Sequence, residues 1–303
     1  MLISLEEARR RVAGLRALAD PCRLCPRLCG ARRLAGETGF CRAGARLRVA
    51  SWAAHRGEEP PISGTRGSGT IFASHCTLRC LFCQNFPFSQ LGTGQEMAVP
   101  DLAGHMLQLA RRGVHNINLV TPTPQAPFLL EAFLEAREQG LDLPLVYNTS
   151  GYESLEVLTL LDGLVDIYLP DLKYADDEAA AAISGVADYV AHDRAAIVEM
   201  FRQVGPLQLD AAGLATRGLI VRHLVLPGGR QGTRASFEWL RSALGTEVQV
   251  SLMCQYFPAW RAPQTPGFDR RLTDDEYLEA IETVDGLGFT NVWAQDPTEV
   301  GGA

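Results

Sequence analysis

Lysine is almost missing from this chain. Of 28 basic residues among 303, 27 are Arg and one is Lys173. A guanidinium cannot replace a compact ammonium where one is needed, so the single lysine is informative. Long apolar runs are missing too. No stretch of eighteen consecutive apolar residues occurs, which argues against a membrane-spanning helix. The opening segment, Leu2 to Leu18, mixes Glu6, Glu7 and arginines with apolar residues and lacks a signal-peptide apolar core. It reads as a short amphipathic helix, and a cytoplasmic protein is expected. Short-period repeats and low-complexity linkers are also absent. Against these absences stand eight cysteines. Without a secretory signal they point to metal binding in a reducing compartment, not to disulfides.

Charge is unevenly spread. Residues 1–50 hold eleven Arg and four acids, a net of +7, while the whole chain is −7, which leaves −14 for residues 51–303. The simpler reading is an arginine-bearing appendage docked on an acidic domain. A nucleic-acid partner is the sharper alternative. It is disfavoured, because no aromatic-interleaved basic stripe accompanies the charge.

Cys76, Cys80 and Cys83 stand in a C-x3-C-x2-C spacing just after the apolar run Thr70 to Ala73. Thiolates are the usual ligands of iron–sulfur clusters, and three ligands on a 4Fe–4S cube leave one iron open to a small molecule. A zinc site completed by His75 or a distant residue is the alternative. Three features favour the cluster: the loop follows a predicted strand, Phe82 precedes the last cysteine where its ring could stack on a flat ligand, and no second C-x2-C lies at zinc-ribbon distance downstream.

This motif resembles the signature of the radical S-adenosylmethionine (SAM) superfamily. The string Gly57-Glu58-Glu59-Pro60-Pro61-Ile62-Ser63-Gly64, then Gly67 to Phe72, then Cys83-Gln84-Asn85, narrows the resemblance to uncharacterised homologues of pyruvate formate-lyase activating enzyme. It runs over nearly the whole chain. It implies a 4Fe–4S cluster, SAM chelated to the open iron through its amino and carboxylate groups, and an electron donor such as flavodoxin or ferredoxin. It also implies reductive cleavage of SAM to methionine and a 5′-deoxyadenosyl radical, which abstracts a hydrogen atom from a substrate. A glycine of a partner protein is the leading substrate, with a peptide or small molecule as the alternative. A non-catalytic iron–sulfur or zinc protein, carrying electrons or binding nucleic acid, is the reading from another class.

A second set, Cys22, Cys25, Cys29 and Cys41, is spaced C-x2-C-x3-C-x11-C. Four thiolates can close a zinc site or hold a second iron–sulfur cluster. Zinc is slightly preferred, because so short a segment lacks a core and would need a metal to fold.

From residue 69 onward strands and helices alternate. Strands are predicted at 69–74, 116–121, 144–148, 165–170, 217–226, 248–254 and 290–294, after a short strand at 46–52, with helices at 100–112, 127–139, 154–162, 188–204, 233–243 and 273–286. Repeated βα units imply a parallel sheet. The expected fold is α/β, a partial (β/α)6 TIM-type barrel over 51–303, with 1–50 as a small cysteine-rich metal-binding appendage. The active site then belongs at the C-terminal strand ends.

Each of those ends carries candidates. The resemblance assigns Thr121 and Thr123 to the SAM amino group, with Pro124 standing where relatives carry His; a rigid proline turn is the alternative. Asn148 and Ser150 share a face by the two-residue period and, by resemblance, reach the ribose or methionine part. Asp171 and Lys173 share a face likewise. By resemblance Asp171 binds ribose hydroxyls and Lys173 the SAM carboxylate; a plain ion pair is the alternative. Arg222 is assigned near the methionine moiety, and its neighbour His223 reads as a core histidine. Phe82 and Asn85 join the cofactor side. Gln255 and Tyr256 are candidates for the substrate side, and Cys254 reads as a buried free cysteine. Glu58 and Glu59 are read as part of a solvated turn.

Overall fold

The computed structural model describes residues 1–300, with side chains through 298, so residues 301–303 at the end of the expected barrel segment lie outside the described residues. Its strands are β1 (Arg48–His55), β2 (Ser68–Ala73), β3 (Gln95–Glu96), β4 (Ile117–Val120), β5 (Leu145–Thr149), β6 (Ile167–Pro170), β7 (Gln208–Leu209), β8 (Ala215–Leu224), β9 (Gln249–Met253) and β10 (Val292–Ala294). The order across the sheet is β10-β9-β8-β6-β5-β4-β2-β1-β3. From β2 to β10 every neighbouring pair along that path is parallel. β1 runs antiparallel to β2 and β3. The two edges do not pair, so the barrel is partial. β4, β5 and β6 are buried along their whole length, as expected of parallel strands covered on both faces.

The helices are α1 (Leu5–Ala17), α2 (Pro60–Ser63), α3 (Phe86–Ser89), α4 (Val99–Arg111), α5 (Ala126–Glu138), α6 (Leu155–Leu161), α7 (Asp177–Ser184), α8 (Tyr189–Val204), α9 (Thr233–Leu244) and α10 (Asp274–Gly286). The start of α10 is fixed by a capping box between Thr273 and Glu276. The N-terminal segment is not a separate body. The Ser4 side chain caps α1, whose Ala8, Val12 and Leu15 enter the main core together with Leu24, Ala31 and Leu47. Arg9, Arg16 and Arg23 meet Glu138, Glu131 and Glu156 on the barrel's helices. Among the described residues no helix is long and apolar enough to cross a membrane.

Two stretches depart from the sequence-based expectation. α7 was not predicted; its run Ala179 to Ala182 has no apolar periodicity, and Asp176 starts it by accepting from the Ala179 N–H. The Gly57–Gly69 stretch is not a solvated turn. Pro60 and Pro61 open α2, and Glu59, Pro61, Ile62 and Ser63 are all buried. Ile62 packs against Val146, Ile167, Leu169 and Ile220 from β5, β6 and β8. The Asn116 amide donates to the Ile62 carbonyl at 2.8 Å. The loop thus fills the barrel interior from below and aims Glu58 and Glu59 at the strand ends.

Candidate active site

The cysteine loop leaves β2 at Ala73. His75 adopts a φ of 77°, in the left-handed region, and turns the chain. α7 then holds the loop: the Arg79 and Leu81 N–H groups donate to the Ser184 and Ile183 carbonyls, each at 2.9 Å. Cys76 and Cys80 are buried, Cys83 is half-buried, and all three are free thiols. Polar donors surround the sulfurs. The Ser184 hydroxyl donates to Cys80 Sγ at 2.9 Å, Ser89 Oγ lies 3.0 Å from Cys83 Sγ, and the Leu78 N–H points at Cys76 Sγ from 3.4 Å.

As bare thiols these groups are ill placed. Burial pushes Cys80 up to about 11 and raises Cys76 and Cys83, while the Lys173 ammonium pulls each of them down. Buried sulfurs ringed by hydroxyl, amide and ammonium donors are well suited to thiolates held on a metal centre. Among the described residues no three Cys, His, Asp or Glu side chains converge closely enough to hold a single metal ion. The His75 ring is held neutral by its burial and by nearby arginines, its pKa down to about 4.

Next to this loop lies a buried set of charges. Lys173 Nζ pairs with Asp171 Oδ2 at 2.6 Å. Arg222, on β8, sits among three carboxylates: Nε is 3.3 Å from Glu59 Oε1 and 3.6 Å from Asp171 Oδ1, and a terminal nitrogen is 3.6 Å from Glu58 Oε2. Neither Arg222 Nε nor Glu59 Oε2 has a hydrogen-bond partner. Asn148 Nδ2 approaches Glu58 Oε2 at 3.5 Å. Burial pushes Glu58 up to about 7, against the pull of Arg222 and with the push of Glu59 and Asp171. Burial opposes the Lys173 charge, but Asp171 and the Cys80 sulfur together outweigh it and the pKa is raised. With every group ionised, three carboxylates face two cations. The set is one positive charge short, which is costly in a buried site unless Glu58 takes a proton or a cation joins it.

The other candidates fall in different places. Thr121 takes a φ of 53°, strained for a β-branched residue, and its N–H donates to the Asn148 carbonyl. The Thr123 hydroxyl, with that of Thr149, donates to Glu153, a fully buried carboxyl that burial pushes up to about 7. Sequence reasoning missed Glu153, which lies in a loop without a periodic neighbour. Ser150 offers its carbonyl, which with that of Asp171 meets the Tyr189 hydroxyl at 2.8 Å. Asn85 is exposed and opens α3 with its backbone. Phe82 is buried with its ring centroid 5.8 Å from that of Tyr256, whose hydroxyl donates to the Phe268 carbonyl at 2.6 Å. The Gln255 carbonyl receives the Gln84 amide at 2.6 Å. His223 points away from Arg222, between the Leu172 carbonyl and Thr233. Cys254 is a buried free thiol beside Gln295.

Residues 70–209 match the family described as the Radical SAM superfamily. A protein of Methanocaldococcus jannaschii, Uncharacterized protein MJ0674, is 29% identical over 268 residues, spanning 86% of this chain and 73% of its own length. Among solved structures, a radical SAM methyltransferase from Sphaerobacter thermophilus superposes with a TM-score of 0.51 at 15% identity, covering 77% of this chain and 68% of its own. Streptococcus suis SuiB, solved bound to the precursor peptide SuiA, gives a TM-score of 0.50 at 11% identity, covering 73% of this chain and 47% of its own. At such identities the two structures speak for the fold alone.

Proposed function

On the premise that this chain carries a radical SAM domain, we propose that it is an enzyme that cleaves SAM reductively and turns the product radical on a polypeptide substrate. The observation that carries this reading is the juxtaposition of three donor-ringed thiols with a charge set one cation short. Bound together at these thiols, a 4Fe–4S cluster and SAM would supply a 5′-deoxyadenosyl radical able to abstract hydrogen.

The chain's own residues do the binding and positioning. Lys173 takes the SAM carboxylate and Asp171 the ribose hydroxyls. With its amino and carboxylate groups on the open iron, SAM still carries a sulfonium, and Glu58 with Glu59 supplies carboxylates for this cation. The β4 end has no acid, only Thr121-Pro122-Thr123-Pro124. Arg222 holds the carboxylates in place and Asn148 orients Glu58. The Ser184 and Ser89 hydroxyls steady the sulfurs. The buried walls formed by Phe82, Tyr256 and Tyr174 keep water away.

A polypeptide substrate is favoured by the rim beside Gln84 and Gln255. There Phe86 stacks on Trp260 with ring centroids 5.0 Å apart, and Phe257 is exposed. One exposed and two half-buried aromatics at a site's mouth suit a protein or peptide partner better than a small polar molecule. Hydrogen abstraction from a glycine of a partner protein is the preferred reaction, and flavodoxin or ferredoxin the preferred electron donor. The test supplies reduced, cluster-loaded enzyme with SAM and candidate partners deuterated at glycine. Deuterium in 5′-deoxyadenosine supports the reading. SAM cleavage without transfer from any polypeptide overturns the substrate part.

A further inference from the structure

We propose that Cys22, Cys25, Cys29 and Cys41 hold a second iron–sulfur cluster that passes electrons to the centre at Cys76, Cys80 and Cys83. The relay role rests on the function proposed above; the cluster itself does not. The fold brings all four thiols of the first set around one small cavity. They ring this space, and among the described residues no three Cys, His, Asp or Glu side chains are placed to hold a single metal ion. The sequence-based preference for zinc also loses its footing. The segment has apolar anchors of its own, because Leu24 and Ala31 belong to the main core. Its backbone is closed by Cys22 N–H donating to Ala31 O and Gly30 N–H donating to Cys22 O, each at 3.0 Å. Arg33 anchors it to the barrel by donating to the Pro124 carbonyl at 2.9 Å.

Position supports the relay. Thr77, between Cys76 and Cys80, lines the same cavity as the four thiols. Arg27 donates to the Thr77 carbonyl at 2.8 Å, and its guanidinium lies 3.4 Å from the centroid of the Phe40 ring. The guanidinium of Arg79, from the cluster loop, approaches the same ring at 4.8 Å. The two sulfur sites therefore share a wall, one lined with cations that suit anionic centres on both sides. Cys29 is exposed and Cys41 half-buried, so the outer edge of the first site is open to a docking protein, whereas Cys76 and Cys80 are sealed. The step balances as one electron. A low-potential one-electron carrier protein is oxidised, the outer cluster is reduced and then reoxidised as the inner one is reduced, and no proton moves.

The test uses the full chain, reconstituted anaerobically, as wild type, as Cys22→Ser/Cys25→Ser, and as Cys76→Ala/Cys80→Ala/Cys83→Ala. Iron, sulfide and zinc are counted and electron paramagnetic resonance spectra recorded. The triple variant leaves the outer site untouched, so it decides the question whether or not the double variant folds. It should retain about two to four irons with matching sulfide, and a reduced-state signal that SAM does not alter. One zinc per chain in that variant, or no metal, overturns the proposal. Failure of the functional reading looks different: wild type would then lack a SAM-sensitive signal while the triple variant still held iron. For the relay, Cys22→Ser/Cys25→Ser should cleave SAM at the wild-type rate with dithionite but at least tenfold more slowly with reduced flavodoxin or ferredoxin. Equal slowing with both reductants, or with neither, overturns it.

Discussion

Two stretches deliver carboxylates to Arg222, and they arrive by opposite routes. Just past the end of β6 the chain presents Asp171, bridged through its backbone to Arg222, and Lys173 two residues on. The loop before β2 presents Glu58 and Glu59 from a segment full of Gly and Pro. Nothing local distinguishes that segment from a solvated turn. The strand pair carries its own neutralising cation. The loop pair borrows Arg222 from β8, more than 160 residues downstream. A pair that neutralises itself can be read from its own sequence; a pair neutralised by a distant partner cannot.

The largest effect should come from removing the junction of the two routes. Arg222→Met leaves Glu58, Glu59 and Asp171 buried with only Lys173. Losing one partner of a buried ionic set costs about 3–5 kcal/mol, to be measured by urea unfolding. A change under about 1 kcal/mol would mean that the loop carboxylates are solvated in solution, and the comparison would break. Next comes the strand side. Lys173→Met keeps the stem and removes the charge, so SAM affinity measured by calorimetry should fall about ten- to a hundredfold, with iron content unchanged. Lys173→Arg should restore it only in part, because a guanidinium is larger and presents a planar fork.

The loop side sharpens the contrast through pH. Burial pushes Glu58 up to about 7, so its carboxylate is present above that pH and absent below. Wild-type SAM affinity should rise as pH increases through 7. Glu58→Gln should weaken binding by about tenfold at pH 8 and leave it unchanged at pH 6. A variant that binds like wild type at pH 8 would confine SAM recognition to the strand side. The smallest effect comes from Glu153, a buried carboxyl with two threonine hydroxyls and no cation. Its folded pKa is raised to about 7, so the folded state holds the proton more tightly. That contribution to stability is full below the unfolded value and is lost as pH rises through 7. Glu153→Gln should therefore gain stability over wild type at pH 8 and nothing at pH 4. An equal difference at both pH values would show that Glu153 does not titrate there.

Much of the fold was legible because its signals are periodic. Each predicted strand from 69 onward exists, and so does each predicted helix, because βα alternation with Gly and capping residues at the edges marks them locally. The cysteine loop was legible from spacing alone. Other features were hidden for physical reasons. α7 has alanines in place of an apolar stripe, yet its Ser184 touches Cys80. The resemblance assigns Thr123 to the cofactor, but nothing in the sequence marks Glu153, the buried acid that its hydroxyl meets. The N-terminal cysteines could be grouped by sequence, but whether they meet at a point or around a cavity is a property of tertiary packing.

The central claim, that the triad at the end of β2 drives reductive cleavage of SAM, is tested most directly by one product. Reconstituted protein is reduced with dithionite under anaerobic conditions, supplied with SAM, and assayed for 5′-deoxyadenosine by chromatography. Wild type should form it, and the Cys76→Ala/Cys80→Ala/Cys83→Ala variant should form none. Product from the triple variant, or no product from iron-replete wild type, would contradict the account.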